Sequence, residues 1–186
     1  MMDDPTRDFS KCHRRYVITQ PDVISVHLMQ EFEKRLKQQC LASGKSCGAY
    51  DLKFVGRARE VGQPLYTVPY SALCAMINLL PVLLRTPPTG AGKKHRYPTL
   101  ILSNGPGTGF FVALLVHLLK IFEVVPPTAM RFVYIESWAR ISTLSWTGKL
   151  LYRTGIADAF YVQHQEVSER YNLPNAGQMV FNAGRT

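Results

Sequence analysis

The sequence predicts an α/β protein built on a Rossmann-like, doubly wound parallel sheet. Two observations carry this. Thr99-Leu100-Ile101-Leu102 and Phe132-Val133-Tyr134-Ile135 are unbroken apolar runs, and strands apolar on both faces belong to parallel sheets covered on both sides. Between them lie a glycine-rich turn, Ser103 to Gly109, and an apolar helix, Phe110 to Phe122. That is a β-turn-α-β unit. With 186 residues, 46% of them hydrophobic, the chain has material for a sizeable core.

The elements follow in order. Residues 1–14 are polar and mixed in charge and read as a disordered lead-in, followed by a single domain over 15–186. Tyr16 to Thr19 is a short β-branched strand. After Pro21, Val26, Met29, Phe32 and Leu36 recur at helical spacing, with Glu31, Glu33, Lys34, Arg35 and Lys37 expected outward. Leu52 to Val55 offers a second strand, followed by a basic turn with Arg57 and Arg59, and a helix is expected from Ser71 to about Leu84. Residues 86–98 hold Pro87, Pro88, Gly90, Gly92, Lys93, Lys94, His95 and Arg96, the composition of a flexible insertion. Beyond the β-turn-α-β unit come a polar loop from Glu136 to Thr143, a helix from Leu144 to Arg153 closed by Gly155, and a strand from Ala159 to Gln163. One more strand is expected at Met179-Val180-Phe181.

Charge narrows the function classes. Twenty-two Lys and Arg against 13 Asp and Glu give +9, yet only 19% of residues are charged, below the roughly 25% of an average soluble domain. This excludes an acidic or disordered chain and leaves nucleic acid, an anionic membrane surface or a phosphate-bearing substrate as partners. Cys12, Cys40, Cys47 and Cys74 form no C-x-x-C pair and read as reduced thiols in a cytosolic setting; no metal site and no cofactor are expected. Two uncharged stretches, Val61 to Leu84 and Tyr97 to Leu119, are long enough to span a bilayer. Pro64, Pro69 and Pro81 break the first and the glycine-rich turn breaks the second, so they read as core elements or a membrane-resting face.

In a parallel sheet, the loops leaving the carboxyl ends of the strands line the binding crevice. The turn Asn104-Gly105-Pro106-Gly107-Thr108-Gly109 occupies such a place. Glycines let backbone N–H groups approach an anion, the following helix points its positive end there, and Thr108 adds a hydroxyl. The spacing is G-x-G-x-G, neither a dinucleotide fingerprint nor a Walker motif. A tight turn that needs glycine for geometry alone is the competing reading. The next strand ends in Glu136-Ser137-Trp138-Ala139-Arg140. Glu136 could accept a substrate hydroxyl or act as a base, and Arg140 could neutralise a diphosphate; alternatively the two simply pair with each other. Ser142, Thr143, Ser145 and Thr147 read as cap and turn residues. The five histidines form no Ser-His-Asp arrangement, and no catalytic residue is identified.

Three blocks carry a family resemblance: Leu102 to Gly109, Val133 to Arg140, and Leu144-Ser145-Trp146-Thr147-Gly148-Lys149-Leu150-Leu151-Tyr152. In order and spacing they resemble the membrane-anchoring subunit of the UDP-N-acetylglucosamine transferase of dolichol-linked oligosaccharide synthesis. Arg59-Glu60-Val61 with Tyr70 and the apolar stretch to Leu84, and Phe160-Tyr161-Val162-Gln163, are further similar blocks. The resemblance implies the acceptor-side Rossmann domain of a split GT-B glycosyltransferase, working as a heterodimer with a soluble catalytic subunit that binds the donor. Together they would add the second N-acetylglucosamine to N-acetylglucosaminyl-diphospho-dolichol on the cytosolic face of the endoplasmic reticulum membrane. Asn104, Gly105, Gly107, Thr108, Gly109, Glu136 and Arg140 are then the expected acceptor and phosphate residues. The tail at 178–186, with Gln178, Met179, Val180 and Phe181, is expected to dock the partner.

The chain departs from the family pattern by beginning with a charged segment in place of an apolar anchor and a first glycine-rich loop with Gly-Gly-His-Thr. It is expected to enter the fold after that first βα unit, and membrane recruitment then falls on the stretch from Tyr70 to Leu84 or on basic contacts. Besides a stand-alone nucleotide-dependent enzyme, which the missing fingerprint residues disfavour, two other functions remain open at this point. One is a truncated, inactive family member. The other is a basic α/β nucleic-acid-binding module using Arg14, Arg15, Lys93, Lys94 and Arg96, although no exposed aromatics alternate with these cations and no recognised binding motif accompanies them.

Overall fold

The computed structural model describes residues 9–20, 22–56, 68–87, 96–104 and 107–177. The expected lead-in before residue 9, the turn at Arg57 and Arg59, residues 88–95 of the insertion, Gly105, Pro106, and the tail with Gln178, Met179, Val180 and Phe181 lie outside the described residues. The chain divides into two compact units, Met1–Arg57 with Asn78–Tyr97, and Ala58–Ile77 with Pro98–Thr186.

In the first unit, β1 (His13–Thr19) and β2 (Ala49–Val55) pair in parallel through α1 (Val23–Ala42), with Arg15 opposite Asp51 and Thr19 opposite Val55. Asp22 caps α1, its carboxylate accepting from the Ser25 amide at 3.0 Å and the Ser25 hydroxyl at 2.6 Å. Ile18 of β1, Met29, Leu36 and Cys40 of α1, and Val55 of β2 are buried.

Two expectations change here. The strand starts at His13, so Arg14 sits in the sheet rather than in a disordered lead-in. Glu33 faces inward, 7% exposed, because Arg14 grips it with two bonds of 2.8 and 2.9 Å and the Tyr16 hydroxyl donates to it at 2.6 Å. A buried carboxylate persists where such partners satisfy it. Burial and the Glu33 carboxylate together hold the Tyr16 phenol well above its ordinary pKa. Arg15 is held as firmly, donating to both oxygens of Asp51 and to the Val82 and Arg85 carbonyls, the latter two at 2.8 Å. These carbonyls end α2 (Val68–Leu84), where Arg15 serves as a cap. Of the five cations named for a nucleic-acid face, Arg14 and Arg15 are therefore taken up internally, Arg96 is exposed, and Lys93 and Lys94 lie outside the described residues.

Helix α2 carries no charged residue and buries Ala72, Ala75, Leu79 and Leu83 while exposing Tyr70, Leu73 and Ile77. Among the described residues, no helix is long and apolar enough to cross a membrane.

The second unit runs β3 (Leu100–Ser103), α3 (Thr108–Ile121), β4 (Arg131–Ile135), α4 (Trp146–Thr154), β5 (Ala159–Tyr161), α5 (Gln165–Tyr171). Its three strands are parallel in the order β3-β4-β5, with Ser103 opposite Tyr134 and Ile135 opposite Tyr161. Ala113, Phe132, Tyr134 and Leu151 form its core, with Phe110, Ile101 and Phe160 packed against them. Asp158 fixes the lower edge by accepting from the Phe132 amide at 2.7 Å and from Lys120 at 3.3 Å.

The α/β class and parallel pairing match the sequence reading. The sheet itself differs. Among the described residues there are two parallel sheets, of two and three strands, rather than one doubly wound sheet. Nor is β3 covered on both faces: Leu100 and Leu102 are 51% and 53% exposed while Ile101 packs inward. Helices α3 and α4 share one core, Ala113 and Leu151 clustering with Phe132 and Tyr134 of β4, the arrangement expected when successive parallel crossovers advance in one direction.

Candidate functional site

The carboxyl ends of β3 and β4 bring the glycine turn, Tyr134, Glu136 and the start of α4 together. Gly107 takes φ 95° and ψ −70°, a conformation closed to most side chains, and its amide donates to the Thr147 hydroxyl at 2.7 Å. That bond ties the turn to the first turn of α4. Gly109 is a packing glycine: a Cβ there would stand 2.9 Å from the Ser103 Oγ and 3.2 Å from the Tyr134 ring. Its absence lets α3 close onto the strands.

Gly107 caps α3 with no side chain of its own, and among the described residues no side-chain cap bond satisfies the first turn. The orphan amides of that turn carry the positive end of a 14-residue helix. Asn104 and Gly107 are exposed and Thr108 is half-buried beside them.

Glu136 departs from expectation. It lies on the same rim but only 1% exposed, below the surface. One oxygen accepts from the Ser145 amide and hydroxyl, both at 3.1 Å; the other accepts from the Ser137 amide at 2.9 Å and faces the Tyr134 hydroxyl at 3.4 Å. Ser145 in turn caps α4 by accepting from the Gly148 amide at 3.0 Å. Gly148 is required by closeness, since a Cβ on it would collide with the Glu136 carboxylate. The Glu136 carboxylate thus rests under the positive end of α4 and forms no ion pair among the described residues.

Glu136 is therefore a buried brace in this arrangement, and a carboxylate open to a ligand is not what the geometry offers. Burial, opposed by the Ser145 hydrogen bond and reinforced by the Glu136 charge, holds the Tyr134 phenol well above its ordinary pKa. Tyr134 is a neutral donor at physiological pH.

Arg140 is exposed at the end of a turn closed by its amide to the Ser137 carbonyl at 3.0 Å. Among the described residues it makes no ion pair with Glu136, so the alternative in which the two neutralise each other is not what forms. The loop between them is fixed from beneath. Gln163 donates to the Glu136 carbonyl at 2.8 Å, and His164 stacks on Trp138 at 4.3 Å while bonding its carbonyl at 2.7 Å.

Of the residues expected at the site, Asn104, Gly107, Thr108, Gly109, Glu136 and Arg140 share one edge of the three-stranded sheet, and Gly105 lies outside the described residues. Thr147, Tyr134 and Gly148 were not singled out as site residues. Thr147 reads as a turn residue, and its bond to a glycine 40 positions earlier emerges only once the strands are paired. No cluster of three or more His, Cys, Asp or Glu side chains able to hold a metal ion occurs among the described residues. A cavity of about 290 Å³ lies elsewhere in this unit, at the far end of α3, lined by His117, Lys120 and Asp158.

Residues 4–178 match the family model of Alg14-like oligosaccharide biosynthesis proteins. The chain belongs to this family. Relatives include UDP-N-acetylglucosamine transferase subunits of Schizosaccharomyces pombe, 32% identical over 85% of this chain and 65% of the relative, and of Homo sapiens, 31% identical over 85% and 65%. The corresponding subunit of Cryptococcus neoformans is 30% identical over 90% of this chain and 68% of its own length. The chain thus spans about two thirds of these Alg14 relatives. No solved structure matches it.

Proposed function

We propose that this chain is the acceptor-side subunit of a UDP-N-acetylglucosamine transferase, one half of a split GT-B enzyme. It presents N-acetylglucosaminyl-diphospho-dolichol to a separate catalytic subunit at the cytosolic face of the endoplasmic reticulum membrane, where the second N-acetylglucosamine is added. The relatives' names supply the reaction class. The observation that carries the reading on this chain is the amino end of α3, capped by Gly107 with no side-chain cap bond among the described residues, at the carboxyl edge of a parallel sheet, which suits an anionic diphosphate.

In this reading, the amides following Gly107 and the Thr108 hydroxyl bind phosphate oxygens, with Asn104, Gly105 and Gly109 shaping the turn. Arg140 offers its planar fork to the diphosphate from the neighbouring loop. Glu136 acts as a positioning residue: through Ser145 and the α4 cap it holds Thr147, which fixes Gly107. The tail with Gln178, Met179, Val180 and Phe181 is proposed to dock the catalytic subunit.

The test uses the assembled complex and a lipid-diphosphate acceptor. Arg140→Ala should lower kcat/KM for the acceptor roughly tenfold to a hundredfold with the donor KM unmoved, the loss of a charge-assisted contact. Removing residues 178–186 should release the catalytic subunit on co-purification. Wild-type turnover in the first variant would sink the phosphate assignment, and undiminished association in the second would sink the docking role.

A further inference from the structure

Helix α4 has two faces of opposite character. Thr147, Gly148 and Leu151 are buried against the sheet. Trp146, Lys149, Leu150 and Arg153 recur at the i, i+3, i+4, i+7 spacing of the other face. Trp146 is 78% exposed and Leu150 41%, and Ile141, in the loop leading to the helix, is 62% exposed. Lys149 lies over the Trp146 ring at 5.7 Å.

Charge chooses the occupant. From Ser137 to Ala157 there is no acidic residue, while Arg140, Lys149 and Arg153 are all cationic. Two other exposed apolar stripes lack this combination: Tyr70, Leu73 and Ile77 lie on a helix without a charged residue, and Val23, Ile24 and Leu28 of α1 are accompanied by no Lys or Arg before Lys34. An amphipathic tryptophan flanked by an aliphatic side chain and by cations that form no ion pair among the described residues is the chemistry of a bilayer interface carrying negative headgroups.

We propose that the face of α4 bearing Trp146, Lys149, Leu150 and Arg153, extended by Ile141, rests on an anionic lipid bilayer. Trp146 and Leu150 sit among the headgroups, and Lys149 and Arg153 meet their phosphates. Trp146 stands between Ser145 and Thr147, the residues that brace Glu136 and Gly107. The bilayer therefore meets the protein beside the glycine turn, where a lipid-linked diphosphate can enter the rim without leaving its membrane. The second half of this inference rests on the proposed function; the docking face does not.

The experiment uses the full chain with phosphatidylcholine vesicles, with and without phosphatidylserine, read by co-sedimentation and by quenching of tryptophan fluorescence with brominated lipid. Binding should require phosphatidylserine and weaken with salt. Trp146→Phe should abolish the quenching, because Trp138 is stacked on His164. Lys149→Glu with Arg153→Glu should reduce partitioning by roughly tenfold or more, with circular dichroism unchanged. Quenching that persists in Trp146→Phe, or partitioning indifferent to the charge reversal, overturns the proposal. So does a result in which these variants lose the catalytic subunit while vesicle binding stands, since the face would then be a protein interface. Turnover of a water-soluble, short-chain acceptor separates the two readings: if it persists while vesicle binding fails, only the docking face is wrong. If vesicle binding is as described and no acceptor is turned over, the functional reading is wrong and the face stands.

Discussion

Among the described residues two carboxylates are buried, one in each unit, and they are stabilised in opposite ways. Glu33 in α1 meets the guanidinium of Arg14 and the hydroxyl of Tyr16. Glu136 after β4 forms no ion pair among the described residues; two amides, a serine hydroxyl and the start of a helix hold it. The first solution consumes a basic residue to hold the two-stranded sheet on its helix. The second leaves Arg140 in solvent at the rim. A chain with +9 net charge thus removes Arg14 from solvent where it builds structure and keeps Arg140 exposed at the rim proposed to hold a diphosphate.

The sharpest way to break the comparison is Glu33→Ala. Arg14 is only 10% exposed, so the substitution leaves a buried, unpaired guanidinium and should cost about 3 kcal/mol or more. Urea unfolding measures it. Replacing both partners, Arg14→Met with Glu33→Leu, should recover most of that loss, because apolar contact replaces a pair that had to be desolvated. A double variant as unstable as the single one would show that the ion pair itself, rather than the avoidance of a lone charge, stabilises the unit.

Gly148→Ala is the corresponding test at Glu136. The new methyl would collide with the carboxylate, so either α4 lifts or Glu136 leaves its amides, at a cost of about 2 kcal/mol. Hydrogen exchange should show the loss in β4 and α4 while β1 and β2 keep their protection. Uniform loss of protection across both sheets would mean that the two units unfold together, and the comparison between them would lose its basis.

How much of this was legible beforehand follows from how local each cause is. The unbroken apolar runs at 99–102 and 132–135 announced β3 and β4 because their signal is contained in four residues. The αL closure of α4 at Gly155 and its cap at Ser145 were equally local. Glu33 was misplaced outward because its partners lie 17 and 19 residues earlier, in a strand that begins three residues before its β-branched run. Helical periodicity assigns a charged residue to solvent unless a partner is known. The division into two sheets was hidden for the same reason, since strand spacing and apolarity say nothing about which edges pair. At the site, the glycine turn and the loop after β4 were visible as residue types. The depth of Glu136 was not, because it is fixed by Gly148 and Ser145, which the sequence marks only as a helix start.

The smallest expected effect concerns the second carboxylate of the two-stranded sheet. Burial tends to raise the Asp51 pKa, but hydrogen bonds from Arg15 and His13, with their charges, more than offset this and hold it below its ordinary value. A carboxyl lowered in the folded state contributes stability that is complete above its unfolded pKa and disappears as pH falls through the folded value. The stability of β1 and β2 should therefore hold from neutral pH down to the ordinary carboxyl range and decline below it. Asp51→Asn should cost about 1 kcal/mol at pH 7 and flatten that acid limb, read as the urea midpoint against pH. The residual bond of an amide oxygen to Arg15 keeps the loss small, and His13, sharing the same carboxylate at 3.1 Å, loses its acceptor in the same variant. If the acid limb keeps its slope without Asp51, the decline belongs to other carboxylates, and Arg15 holds the sheet through the carbonyls that end α2 rather than through its ion pair.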